Sequence, residues 1–137
     1  MKPLLAILGV LFLAGCGEAQ ESSSVEKFKS GDERVVAQKI EDLQEAGSRR
    51  DPEKICTEIL ARSLVQELEA AGASCTDEMK KAIEDADDYA LDVREVTVSG
   101  STATATVRRG DDGPTETMEF TREGGDWRAT SLSSGPS

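Results

Sequence analysis

The stretch that decides the fold runs from Thr102 to Ala129 and reads TATATVRRGDDGPTETMEFTREGGDWRA. Apolar and polar side chains alternate through most of it, as they do along β-strands with one buried face. Two turn-forming clusters, GDDGP at 110–114 and GGD at 124–126, divide it into three strands. Because connections this short join only antiparallel neighbours, the stretch predicts a meander whose last strand runs from Trp127 to about Leu132.

A fourth strand precedes this stretch and ends before a turn at Gly100-Ser101. Its apolar residues alternate with polar ones both before and after Arg94 and Glu95. In a regular strand, the apolar residues before that point would face the opposite side of the sheet from those after it. A β-bulge at that point would reconcile the two phases. The two sets are Leu91 with Val93, and Val96 with Val98. The inward positions of the sheet include three alanines, which would let helices or a ligand approach closely: Ala103, Ala105 and Ala129.

Before the sheet, apolar residues recur at the spacing of α-helices in three segments. The first follows Ser30 or Asp32 as its cap, and the second follows Asp51-Pro52-Glu53, a strong helix start. The third follows Ser74 or Thr76 and runs to about Asp85. The apolar positions are Val36, Ile40, Leu43 and Ala46 or Gly47 in the first segment, Ile55, Ile59, Leu60, Leu64 and Leu68 in the second, and Met79 and Ile83 in the third.

Helices followed by an antiparallel sheet predict one α+β domain over residues 32–132, with the helices packed on one face of the sheet. The opposite face carries five or more threonines and is expected to be solvated. A break near Leu60 or Ala61 would divide the second helical segment into two short helices.

The N-terminus has the pattern of a secretory leader. Lys2 precedes an apolar run from Pro3 to Ala14, which is too short to span a bilayer. The run ends in Leu13-Ala14-Gly15-Cys16, which resembles the lipobox of bacterial lipoproteins. We therefore predict a signal peptide over 1–15 and a lipid on Cys16. The alternatives are a buried N-terminal helix of a cytosolic domain and ordinary secretion.

These features predict where the protein is located in the cell and where the segments before and after the domain begin and end. Residues 16–31 are polar and serine-rich, and they are expected to form a flexible tether behind the lipidated Cys16. Residues 133–137 are expected to be a disordered tail. The expected location is the extracytoplasmic face of the cell membrane, with the membrane as a partner through the lipid on Cys16.

The charge and composition exclude several classes of function. The chain has 27 acidic and 16 basic residues, a net charge of −11 and no histidine. The negative electrostatic field of such a chain repels phosphate backbones, so nucleic acid is not an expected partner. A Cys/His zinc site is excluded by composition, and no metal, cofactor or catalytic residue is assigned. The acidic run from Glu84 to Asp88 lacks the spacing of a calcium loop and is interpreted as a solvated helix end.

Lipid on Cys16 would leave Cys56 and Cys75 as the remaining cysteines, and an oxidising compartment favours a disulfide between them. Closing a loop of about 19 residues is worth roughly 3 kcal/mol in the chain-entropy model. The alternative is a pair of separate buried thiols.

The order of elements, the Asp51-Pro52 start of the second helix, the cysteine flanking the third helix and the GGDWR sequence at 124–128 resemble the nuclear transport factor 2-like superfamily. The likeness is greatest to its small exported lipoprotein members and covers about residues 33–132. It implies a curved sheet wrapped on helices, often as a cone with an apolar pocket. The catalytic histidine sets of the dehydratase members have no counterpart in this sequence.

Four large side chains are candidates for lining such a pocket: Tyr89, Met118, Phe120 and Trp127. The alternative is that they fill the core. The expected function is a non-catalytic module that binds a small apolar ligand or another exported protein. Two alternatives stay open: an isomerase- or cyclase-type enzyme using a buried carboxylate, for which Glu116 is the one inward-phased acid, and an inhibitor or adaptor of a cell-envelope enzyme.

Overall fold

The computed structural model describes Phe28 and residues 31–131. The predicted signal peptide, Cys16, the tail at 133–137 and most of the predicted tether lie outside the described residues. The helices are α1 (Gly31–Ser48), α2 (Pro52–Lys54), a π-helix (Ile55–Ile59), α3 (Arg62–Ala70) and α4 (Cys75–Asp85). The strands are β1 (Leu91–Ser99), β2 (Thr102–Arg109), β3 (Thr115–Glu123) and β4 (Asp126–Ala129). None of the helices in this part of the chain is long and apolar enough to cross a membrane.

The four strands form one antiparallel sheet in the order β1-β2-β3-β4, so the predicted meander and the α+β class are confirmed. The register of β1 against β2 shifts between Val93 and Glu95, where the reversal of apolar phase predicts a bulge. The final strand is shorter than predicted, because β4 ends at Ala129.

The break predicted near Leu60 or Ala61 is present, and it has a structural role. Both residues are extended, with ψ near 144° and 143°. Leu60 pairs in parallel with Ala129, and the Ala61 N–H donates to the Ala129 carbonyl at 2.8 Å. The chain therefore leaves the helical course in order to add hydrogen bonds to the outer edge of β4, which would otherwise be unpaired.

One hydrophobic cluster joins the inward face of the sheet to the helices. Its largest fully buried side chains come from both layers: Trp127, Phe120, Ile40, Ile59, Leu60, Val36 and Val93. Burying each of these contributes about 1.5–3 kcal/mol. The three inward alanines of the sheet are buried as expected, whereas Thr102, Thr104 and Thr117 on the opposite face are exposed.

Phe28 belongs to this cluster, with 7% of its surface exposed. Its carbonyl accepts a hydrogen bond from Arg34 Nε at 2.7 Å. The packed domain therefore includes a residue that lies inside the range 16–31 assigned to the tether.

Local signals in the sequence set the starts of the second and fourth helices. The Asp51 side chain accepts from the Lys54 N–H at 3.0 Å, and Pro52 occupies the first turn, where its missing N–H costs nothing. Ser74, rather than Thr76, caps α4 by accepting from the Asp77 N–H.

Burial along α4 differs from the expectation at one position. Ile83 is buried as predicted, but Met79 is only half-buried, because it borders a cavity.

The predicted cysteine pairing is confirmed: a disulfide joins Cys56 to Cys75, with the Cα atoms 6.1 Å apart. Cys56 lies in the π-helix and Cys75 is the first residue of α4. The bond therefore fixes the start of α4 to the segment that packs against β4.

Candidate ligand-binding site

An apolar cavity of about 300 Å³ opens to solvent where the end of α1, α4 and the start of β1 meet. Its wall is mainly hydrophobic, and the apolar lining residues include Leu43, Met79, Ala82, Ile83, Tyr89 and Leu91. Three polar side chains reach its surface: Gln44, Asp88 and Arg109. A concave, mostly apolar space with a few polar groups is the usual form of a small-molecule site.

Tyr89 is held at this cavity from two sides. Its hydroxyl donates to the Ile83 carbonyl at 2.7 Å, which ties the ring to α4. On α1, a Cβ atom on Gly47 would lie only 3.0 Å from Tyr89 Cδ1. Gly47 therefore lets the ring approach the helix backbone closely, and the ring is fixed as a wall of the cavity.

The neighbouring backbone is also held in place. Gln44 Oε1, on α1, accepts from the Leu91 N–H at 2.8 Å. The Gly110 N–H donates to the Ala90 carbonyl at 2.9 Å. Together these bonds attach the 86–90 segment to α1 on one side and to the β2-β3 turn on the other, so the mouth of the cavity has a defined shape.

Both charged side chains of the lining have partners. Asp88 Oδ1 accepts from the Ala90 N–H at 2.8 Å. Arg109 Nε donates to Glu116 Oε2 at 3.2 Å, and the Glu116 side chain is 15% exposed. Glu116, the acid considered for catalysis, is thus engaged by an arginine and is not one of the residues that line the cavity.

The four candidate pocket residues are not brought together. Tyr89 lines the cavity, whereas Met118, Phe120 and Trp127 are 1–2% exposed and belong to the core. Trp127 Nε1 donates to Asp32 Oδ1 at 3.2 Å, so the polar atom of the indole is satisfied at the other end of α1.

Several lining residues were not anticipated from the sequence. Gly47 on α1, Ala82 on α4 and Ala86 directly after α4 are small, and they leave the space that larger side chains would fill. The available signal was a glycine inside one helical pattern, together with an alanine inside another and an alanine directly after it.

A second cluster, of charged side chains from α1 and β4, lies against the π-helix. Lys39 Nζ donates to the Glu58 carbonyl at 3.0 Å, and Arg128 Nη1 donates to the Thr57 carbonyl at 2.6 Å. Asp126 Oδ2 lies 3.0 Å from Lys39 Nζ and 3.2 Å from Arg128 Nε. These cations satisfy carbonyls at the end of the π-helix, so the cluster holds that segment against β4.

No protein-family model, curated protein or solved structure matches this chain. Within residues 31–131 and Phe28, no group of three or more cysteine or acidic side chains is arranged to hold a metal ion. The cavity beside Tyr89 is therefore interpreted from its own geometry.

Proposed function

We propose that the domain binds a small apolar ligand in the cavity beside Tyr89 and does not convert it chemically. The observation that carries this proposal is an open apolar space of about 300 Å³ whose wall is fixed by the hydrogen bond from Tyr89 to Ile83. The volume is at the lower end of the range for small-molecule sites. A preformed wall favours binding, because little side-chain freedom is lost when the ligand enters.

We further propose that the chain is a lipid-anchored lipoprotein on the extracytoplasmic face of the cell membrane. The support is the Lys2, apolar-run and Leu-Ala-Gly-Cys16 pattern, together with a disulfide that suits an oxidising compartment. Mass analysis of the native protein should find Cys16 as the first residue, carrying diacylglycerol. A native chain that begins at Met1 without fatty acid would contradict the anchor.

Membership of the nuclear transport factor 2-like superfamily, with its curved cone, is also a proposal. Its support is the order of elements: helices first, then a four-stranded antiparallel meander with a bulge in the first strand. The resemblance also implies an apolar pocket, and the domain has an apolar cavity between helices and the start of the sheet, lined by one of the four candidate residues, Tyr89.

The structure gives less support to an enzyme. Glu116 is engaged by Arg109, and the acid that does line the cavity, Asp88, accepts a backbone hydrogen bond and is exposed to solvent. A carboxylate that acts as a base is usually desolvated beside the bound substrate. Binding is therefore the better-supported function.

The proposal is tested by filling the cavity with a larger side chain and measuring the effect on ligand binding. The full chain is reconstituted in phosphatidylcholine vesicles and titrated with 2-naphthylmethanol by calorimetry, with protein-free vesicles as the blank. Ala82→Phe places a ring in the cavity and should weaken binding at least ~10-fold, which corresponds to ~1.4 kcal/mol. Ala70→Phe is the matched control, because Ala70 is an exposed residue of α3 outside the lining. Equal binding by both variants, or no binding by the parent protein, would overturn the proposal.

A further inference from the structure

The charged groups around the cavity bear on the charge of the ligand. We propose that the cavity selects a cationic ligand: an apolar body of naphthyl size that bears an ammonium group at the mouth. The inference rests on the proposed function, because it names the ligand class of the same cavity.

Acidic residues are concentrated on two sides of the mouth, in segments that contain or adjoin a lining residue. The end of α4 and the 86–90 segment carry Glu84, Asp85, Asp87 and Asp88, and the β2-β3 turn carries Asp111 and Asp112. All six are exposed. The two sides lie together, since the Gly110 N–H donates to the Ala90 carbonyl at 2.9 Å. A Cβ atom on Gly110 would lie 3.0 Å from Asp88 Oδ2.

Asp88 is the acid that reaches the cavity itself. Its Oδ1 accepts from the Ala90 N–H at 2.8 Å, which holds the carboxylate at the rim and leaves acceptor capacity for a ligand. The next residue, Tyr89, presents an aromatic ring to the same space. A carboxylate beside an aromatic face is a combination that attracts ammonium groups, by ion pairing and by cation–π interaction.

Nearby positive charges do not reverse this preference. Arg109 lines the cavity but is paired with Glu116, and Lys81 is paired with Glu78 at 3.2 Å. Arg50 and Lys80, together with Glu84, line a separate, smaller cavity that shares Ile83 with this one. The chain as a whole carries a net charge of −11, which also raises the local concentration of cations.

The experiment compares three probes that share one apolar body. 2-Naphthylmethylammonium, neutral 2-naphthylmethanol and anionic 2-naphthoate are titrated into the full chain in phosphatidylcholine vesicles. We expect the ammonium to bind ~10-fold more tightly than the alcohol, and the carboxylate at least ~10-fold more weakly. The advantage of the ammonium should shrink as salt is raised from 0.05 to about 0.5 M, because the mouth is exposed to solvent.

A matched pair of variants locates the effect. Asp88→Asn keeps the acceptor for the Ala90 N–H and removes the charge, so it should reduce the ratio of ammonium affinity to alcohol affinity ~2–5-fold. Glu69→Gln removes an equal charge from the exposed face of α3 and should change neither. Equal binding of ammonium and alcohol, or an ammonium advantage that Asp88→Asn does not reduce, would overturn the inference while the proposed function stands. Failure of all three probes to bind would instead overturn the proposed function.

Discussion

The two ends of α1 are built differently. At the first end, Asp32 accepts hydrogen bonds from Arg122 and from Trp127 Nε1, and the Arg122 guanidinium lies 5.0 Å from the centre of the Trp127 ring. The core beneath it is closed. At the second end, Gly47 and Tyr89 border an open apolar cavity. One helix thus joins a fully packed region to an unfilled one.

Because of this difference, we expect the closed end of α1 to contribute mainly to the stability of the domain and the open end mainly to ligand binding. The closed end buries the largest side chain of the domain and satisfies its polar atom, so substitutions there should act on folding. The open end leaves Leu43, Met79 and Leu91 half-buried, so it contributes less to stability and offers surface to a ligand. The following substitutions compare the two ends.

The largest effect is expected at Trp127. Trp127→Ala should reduce the free energy of unfolding by about 3–5 kcal/mol, because it leaves a cavity in a closed core and removes one of the two partners of Asp32. Urea denaturation measures the loss. Tyr89→Ala is the comparison at the open end and should cost only about 1–2 kcal/mol, since the ring is already half-exposed. Equal losses would mean that the two ends are equally packed.

Reduction of the Cys56–Cys75 disulfide is expected to have the next largest effect. The bond closes a separation of 19 residues, so breaking it should cost roughly 3 kcal/mol and lower the Tm by several degrees. A thermal melt with and without reducing agent measures the shift. The double variant Cys56→Ala, Cys75→Ala should melt at the reduced temperature and show no response to the reducing agent. An unchanged Tm in the parent protein would contradict a stabilising role for the bond.

The smallest effect is expected at Gly47. Gly47→Ala gains up to ~1 kcal/mol of helix propensity, but its Cβ would press on Tyr89 Cδ1 at 3.0 Å. Because the ring borders an open cavity, it can shift by a few tenths of an ångström, and we expect a net stabilisation of about 0.5 kcal/mol. In a Tyr89→Ala background the same substitution should give the full gain. A loss above ~1 kcal/mol in the parent protein would show that the ring cannot move.

The sheet could be predicted in detail because the residues that determine each strand and turn are close together in the sequence. Alternation of side chains, short glycine-containing turns and the phase reversal at Arg94–Glu95 each specify backbone geometry within a few residues. The capping residues Asp51 and Ser74 and the break at Leu60 are local in the same sense.

Other features depend on contacts between residues that are distant in the sequence, so they produce no recognisable sequence pattern. The π-helix at Ile55–Ile59 has the same apolar spacing as an α-helix, and it is held by Lys39 and Arg128 from other elements. Burial of Phe28 depends on the space beside α1. The site was predicted only at Tyr89, since large aromatic residues in a sheet fill the core more often than they line a cavity.

Phe28 also fixes the point at which the preceding chain joins the domain. Its carbonyl is bonded to Arg34 near the start of α1, whereas the cavity lies beside Gly47, roughly 20 Å further along the helix axis. The point at which the N-terminal segment joins the domain is therefore separated from the cavity by most of the length of α1.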